Sequence, residues 1–186
     1  MKFTDPIVVE CNFRMVGRSG GKIVPGTLRE GHNVWTVTGR GYLAQLMSNR
    51  LYAPPTALRD DKVLWMGLGS GAQPEVASVE ALAAPVPYIT GTYLKQIQSA
   101  VFPTDPPTSV AYNIEFLETE ISLGPGSAVI LREAGLFSGQ KWIGVLPMID
   151  IDPDAGNEPP LAYKNFEPLT KTTQFRLQVR WEIRFR

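Results

Sequence analysis

Histidine and cysteine are almost absent from this chain: its 186 residues hold one of each, His32 and Cys11. A lone cysteine excludes an internal disulfide and an all-cysteine metal site. A lone histidine excludes a multi-histidine metal centre and forces any serine–histidine–aspartate arrangement to use a residue in a glycine-rich stretch. No Gly-x-Ser-x-Gly nucleophile turn is present. Net charge is missing too: 18 Lys plus Arg balance 18 Asp plus Glu, which removes the long-range field that gathers nucleic acid or an anionic membrane. No apolar run is long enough to cross a bilayer and no secretory leader opens the chain, so no membrane partner and no export by the usual secretory route are expected.

What is present is punctuation and alternation. Glycine (17) and proline (16) are numerous, which suits a loop-rich β protein better than a helical bundle. Hydrophobic residues at 44% against 19% charged provide enough apolar material for a core. The organising stretch is Gln174 to Arg186. Phe175, Leu177, Val179, Trp181, Ile183 and Phe185 alternate there with Arg176, Gln178, Arg180, Glu182, Arg184 and Arg186. A period of two puts the apolar set on one face of a strand and the arginines on the other, and it demands neighbouring strands and a covering layer.

Read in order, residues 1–32 form an extended arm, with a short strand at Ile7 to Val9 and then glycines interleaved with Arg14, Arg18, Lys22 and Arg29. So few core-sized residues imply packing on a neighbouring subunit, and the arm is expected to be dispensable for folding. A helix is expected near 38–52, with Thr38 as its N-cap, an apolar stripe through Tyr42, Leu43, Leu46, Met47 and Leu51, and Pro54 and Pro55 beyond it. Val63 to Leu68 reads as a buried strand broken by Gly67, Gly69 and Gly71, and 75–84 as a short helix or an ordered loop. Further strands are expected within 88–102, at Val110 to Ile121, at Val129 to Phe137 and at Trp142 to Ile149. A polar loop over 150–168 then precedes the last strand.

Several clusters invite a chemical reading. Gly67-Leu68-Gly69-Ser70-Gly71-Ala72 imitates a phosphate loop, but Gln73-Pro74 interrupts the helix such a loop must open, so a structural turn is expected. Asp150, Asp152, Asp154 and Glu158 resemble the start of an EF-hand, yet Ala155 and Leu161 occupy the glycine and bidentate-glutamate positions. Glu115, Glu118 and Glu120 offer a carboxylate pair, with Glu118 and Glu120 on one strand face, though a solvated polar face explains them equally. Glu133 beside Arg132 is expected to make a buried ion pair or to fix a turn. The arginines of the last strand read as an exposed polar face or as an ion-pairing surface toward another subunit. Trp35, Trp65, Trp142 and Trp181 keep open a sandwich that stacks sugars.

The run Asn33-Val34-Trp35-Thr36-Val37-Thr38-Gly39-Arg40-Gly41-Tyr42-Leu43, then Met66-Gly67-Leu68-Gly69-Ser70-Gly71 with Pro74 and Leu82, then Arg132-Glu133-Ala134-Gly135-Leu136-Phe137, closes on Leu169-Thr170-Lys171-Thr172 before the alternating strand. This order resembles virion structural proteins of tailed bacteriophages, in particular tail-collar fibre and baseplate anchoring domains. Their pattern passes from an Asn-x-x-Thr-x-x-Gly helix start, through a Gly-x-Gly turn, to a Glu-x-Gly-Leu-Phe strand. The likeness spans residues 33–186. No coiled-coil heptad, collagen-like repeat or separate tip accompanies it, which implies a free-standing subunit.

The expectation is therefore a mainly β protein: an antiparallel β-sandwich over 33–186 with one α-helix on its N-terminal side, preceded by the arm. Its expected role is a non-enzymatic structural subunit of a phage virion. A tail-side collar, baseplate or fibre adaptor leads, followed by a capsid decoration protein or a carbohydrate-binding module. It is expected to assemble in the host bacterial cytoplasm as a symmetric homo-oligomer with other virion proteins, without a cofactor, metal or nucleic acid. The subunit-contact residues are expected to be Arg14, Arg18, Lys22, Arg29, Arg176, Arg180, Arg184 and Arg186.

Overall fold

The computed structural model describes residues 9–41, 64–88, 93–97, 99–102, 108–121, 123, 128–138, 141–143, 146–148 and 159–185. Its strands are β1 (Val9–Ser19), β2 (Lys22–Ile23), β3 (Arg29–His32), β4 (Val34–Trp35), β5 (Leu64–Gly69), β6 (Leu94–Gln96) and β7 (Ser99–Val101), followed by β8 (Ser109–Phe116), β9 (Ala128–Ser138), β10 (Lys141–Ile143), β11 (Leu146–Met148), β12 (Ala162–Thr172) and β13 (Arg176–Phe185). They build an antiparallel β-sandwich. One sheet runs β2-β1-β13-β8-β7 with β3 also on β1, the other runs β4-β12-β9-β5-β6, and β10 pairs with β11.

The last strand does what its alternation demands. Leu177, Val179, Trp181 and Ile183 are buried against the second sheet, while Phe185, at the end of the ridge, is left partly exposed. Trp181 is flanked by Phe13 of β1, edge-on at 5.2 Å between ring centroids, and Phe13 stacks at 5.7 Å on Phe166 of β12. From the second sheet Met66, Leu68, Leu131, Ala134, Leu136 and Leu169 fill the same layer. Each lateral side is crossed by a chain that leaves one sheet for the other. β3 passes through Asn33 into β4 on one side, and β6 leads to β7 on the other. Such crossings keep edge strands short.

Residues 9–32 are not an arm standing off the domain. β1 sits between β13 and the short strands β2 and β3, in register with β13 from Val9 opposite Phe185 to Arg18 opposite Arg176. Cys11, Phe13 and Met15 alternate into the core, with Gly17 continuing the row where a Cβ would strike the Phe175 ring. Burial lifts the Cys11 thiol to a pKa of about 12, so it packs as a small apolar group. Residues 1–8 lie outside the described residues.

Three further expectations are corrected. The span read as a loop over 150–168 already contains β12 from Ala162, whose pairing with β9 shifts between Asn165 and Leu169. That irregularity accommodates Pro168, which has no N–H to give to a ladder. The single strand expected at 142–149 is two short strands facing each other, β10 and β11. The helix is capped by Thr36 rather than Thr38: its hydroxyl accepts from the Gly39 N–H at 3.0 Å and donates to the Pro160 carbonyl. Helical residues follow at 37–41, and the rest of the expected 38–52 span lies outside the described residues.

Candidate interaction face

The outward face of the β1–β13–β8 sheet is a lattice of charge set by register. Directly opposed residues in an antiparallel ladder share a face. Across β1 and β13 the outward pairs are Glu10 with Arg184, Asn12 with Glu182, Arg14 with Arg180, Val16 with Gln178, and Arg18 with Arg176. β8 extends these rows through Ala111, Asn113 and Glu115, while β3 adds Glu30 beside Arg14 and His32 beside Asn12.

Most of the charge is neutralised within the face. Arg176 reaches Glu115 at 3.3 Å and Glu118 at 3.2 Å, and Arg14 reaches Glu30 at 3.1 Å. Glu182 holds Arg184 at 2.8 Å and Arg180 at 3.5 Å. The Arg184 contact, ahead of the field of Arg180, keeps the Glu182 carboxyl below its ordinary range despite partial burial. Glu118 is likewise lowered, first by its own backbone N–H and then by Arg176. Arg18 differs. Its Nη1 donates to the Gly21 carbonyl at 3.1 Å, its Nε is buried without a hydrogen-bond partner, and no carboxylate pairs with it among the described residues. A groove of about 430 Å³ opens here, lined by Arg14, Val16, Arg18, Asn113, Glu115 and Arg180 among others.

The expected contact residues therefore divide. Arg14, Arg18, Arg176, Arg180 and Arg184 share this face. Lys22 stands on β2 at its margin, and Arg186 lies outside the described residues. Arg29 does not belong to the set. Its guanidinium donates to the carbonyls of Glu167 (2.8 Å), Pro168 (2.5 Å), Gly26 (2.8 Å) and Leu28 (2.8 Å), clamping β3 to the irregular part of β12. It joins the two sheets, a role suited to its planar fork of donors.

The opposite outer face, on the β4-β12-β9-β5-β6 sheet, is roofed. Residues 70–88 cross it, and Val79 and Leu82 pack with Tyr93, Leu94, Phe137 and Tyr163. Glu133 pins this roof. Fully buried, it accepts from the backbone N–H groups of Gly71 (3.2 Å), Ala83 (3.1 Å) and Ala84 (2.9 Å) and from the Tyr163 hydroxyl at 2.9 Å. The turn-fixing contact expected of Glu133 is what the structure has. Burial first, then the Glu133 charge, raises the Tyr163 pKa. A Cβ on Gly69 or Gly71 would strike the Glu133 carboxylate, and one on Gly67 would meet Leu82 at 3.1 Å. The glycine spacing that imitates a phosphate loop is thus accounted for by close approach of roof and carboxylate.

At one end of the sandwich the turn after β8 is gripped by cations. Glu118 and Glu120 lie in that turn rather than on a strand face, and they point to different partners. Lys95 donates to the Glu120 carboxylate and to the Glu115 carbonyl (2.6 Å), with the Tyr88 hydroxyl adding a bond to Glu120 at 2.9 Å. Lys171, fully buried, donates to the carbonyls of Glu118 (3.0 Å) and Thr172 (2.5 Å) beneath the Phe175 ring. Burial brings its pKa down to about 8 against the field of Glu118. Neither lysine stands out as buried in the sequence, because β6 and β12 both carry other polar residues, Gln96 in the first and Lys164, Asn165 and Glu167 in the second.

Trp35 and Trp181 are buried, so neither presents a ring for stacking on a sugar, and Trp65 is half-buried against the roof cluster. The Trp142 side chain and the acidic run 150–158 lie outside the described residues, and no cluster of metal-ligating side chains occurs among the described ones. No protein-family model, curated protein or solved structure matches the chain.

Proposed function

We propose that this protein is a non-enzymatic structural subunit of a tailed-bacteriophage particle, a tail-side adaptor that acts by packing against copies of itself and other virion proteins. One observation carries the reading: one outer face of the sandwich is roofed and apolar beneath, whereas the other, which no described residue crosses, presents a grooved lattice of arginines and glutamates. An uncovered face of paired charges is suited to register-specific contact between proteins, because complementary charges set partner and alignment more than raw affinity. The order of motifs from Asn33 to Phe137, with its phage-virion resemblance, supplies the class.

The carboxylates that a hydrolase would need support the same reading. Glu133 is enclosed by four donors, Glu118 is held by Arg176, and Glu120 by Lys95 and Tyr88. The test is sedimentation analysis of the purified chain with electron microscopy of the product and of particles carrying it. A closed symmetric oligomer located on the tail is the expected result. A species that stays monomeric and is missing from particles would refute the proposal, and a location on the shell would replace the adaptor with the decoration role.

A further inference from the structure

Two features of the charged face are costly in isolation. Arg14 opposes Arg180 and Arg18 opposes Arg176, two like-charge cross-strand pairs on one face, an arrangement that lowers sheet stability. Arg14, Arg176 and Arg180 each borrow a glutamate from a neighbouring strand or position. Arg18 has a buried Nε with no acceptor among the described residues. Among the described residues the groove between these rows is lined by three guanidiniums, Arg14, Arg18 and Arg180, against one carboxylate, Glu115, which already accepts from Arg176 and Gln178. The groove therefore has donors in excess of acceptors.

Resting on the assembly reading above, we propose that this groove receives the carboxylates of an extended acidic segment of a partner subunit. Arg14 and Arg18 are four residues apart on one strand face, about 13 Å at roughly 3.3 Å per residue. An extended segment with acidic side chains at i and i+4 matches that separation, its middle residue lying over Val16, and planar guanidiniums favour carboxylates in paired hydrogen bonds. A nucleic-acid strand fits less well, because Glu30, Glu115 and Glu182 on the same face would each oppose a continuous run of phosphates.

The chain itself contains an acidic run of this spacing, Asp150-Ile151-Asp152-Pro153-Asp154, which supplies the probe. The experiment titrates a synthetic peptide of residues 148–159 into the purified full chain by calorimetry. Controls are the same peptide with Asp150, Asp152, Asp154 and Glu158 as amides, and a single-stranded oligonucleotide. Expected are binding of the acidic peptide alone, weakening with added salt, and loss of about tenfold in affinity for Arg18→Ala and again for Arg14→Ala. Arg18→Lys should retain part of the affinity, and Lys22→Ala, at the margin, should change nothing. Thermal melts of every variant confirm that the fold survives. Absence of peptide binding, equal binding by the Arg14→Ala/Arg18→Ala double variant, or tighter binding of the oligonucleotide would overturn the proposal. Sedimentation of the same samples separates the two readings. A closed oligomer that ignores the peptide removes the acidic-segment proposal and leaves the assembly role standing, whereas a monomer that ignores it removes both.

Discussion

The two outer faces of this sandwich solve the same problem in opposite ways. A sheet packed on one side must do something with the other. On β12-β9-β5 the chain lays residues 70–88 across it, fastens them with one buried carboxylate and seals aliphatic and aromatic side chains beneath. On β1-β13-β8 no described residue crosses the face, and long charged side chains fill it. The roof is held through one fully buried carboxylate, Glu133, whereas the charges of the other face are many, mostly half-buried and individually replaceable. The difference predicts where mutations hurt the fold and where they affect only association.

The sharpest break of that contrast is removal of residues 1–30. It takes β1, β2 and part of β3 out of the sheet that carries the open face, along with Phe13 and Met15, and it is expected to abolish cooperative folding. A well-dispersed amide spectrum from the truncated protein would show that β1 is an accessory after all. Next comes the roof. Glu133→Ala leaves three backbone N–H groups and a tyrosine hydroxyl unpaired in the interior, and is expected to cost about 3–5 kcal/mol in denaturant titrations. Hydrogen exchange over 70–88 should accelerate more than exchange in β13. Equal acceleration throughout would deny the roof any separate identity.

Lys171 gives a smaller, pH-dependent effect. Its folded pKa of about 8 lies below its ordinary 10.5, so between those values the unfolded chain keeps a proton that the folded chain has released. Folding stability contributed by this group therefore rises with pH through that window. Lys171→Met should remove that rise, seen as the difference between the two proteins' stability profiles over the window. Identical profiles would mean that the amine is better solvated than its burial implies. The smallest effects belong to the open face: Arg14→Ala and Arg180→Ala should each shift stability by no more than about 0.5 kcal/mol. A larger loss would mean that the arginine lattice is part of the fold.

The parts of this architecture written in the sequence are those where one pattern dominates. β13 declares itself because five large apolar residues, with Phe175 just before them, keep a period of two, and β8 and β9 because valine, isoleucine and leucine recur between turn residues. β1 keeps the same period, but with Cys11, Phe13, Met15 and Gly17 on its inward side. A glycine whose missing Cβ leaves room for Phe175 looks like a loop residue until its neighbour is known. β12 is hidden by Pro168 and by the irregularity that tolerates it. Thr36 and Thr38 are equally good caps in isolation. The carbonyls of Pro160 and Leu161, more than a hundred positions away, distinguish them. Of the candidate site, the arginine face of β13 was legible, whereas its continuation onto β1, and the diversion of Arg29 to a clamp, depend on pairing across the whole length of the chain.

That pairing also sets a timetable for synthesis. β13, made after both strands that it pairs with, sits between β1 and β8, and Val9 faces Phe185 in the ladder. While the ribosome is still short of β13, Phe13, Met15, Ile114 and Phe116 have no strand between them and nothing to bury against on that side. The sheet can close only once residues 176–185 have emerged, so a nascent chain stalled before residue 176 would expose a hydrophobic slot of one strand's width and depend on chaperones until it is filled.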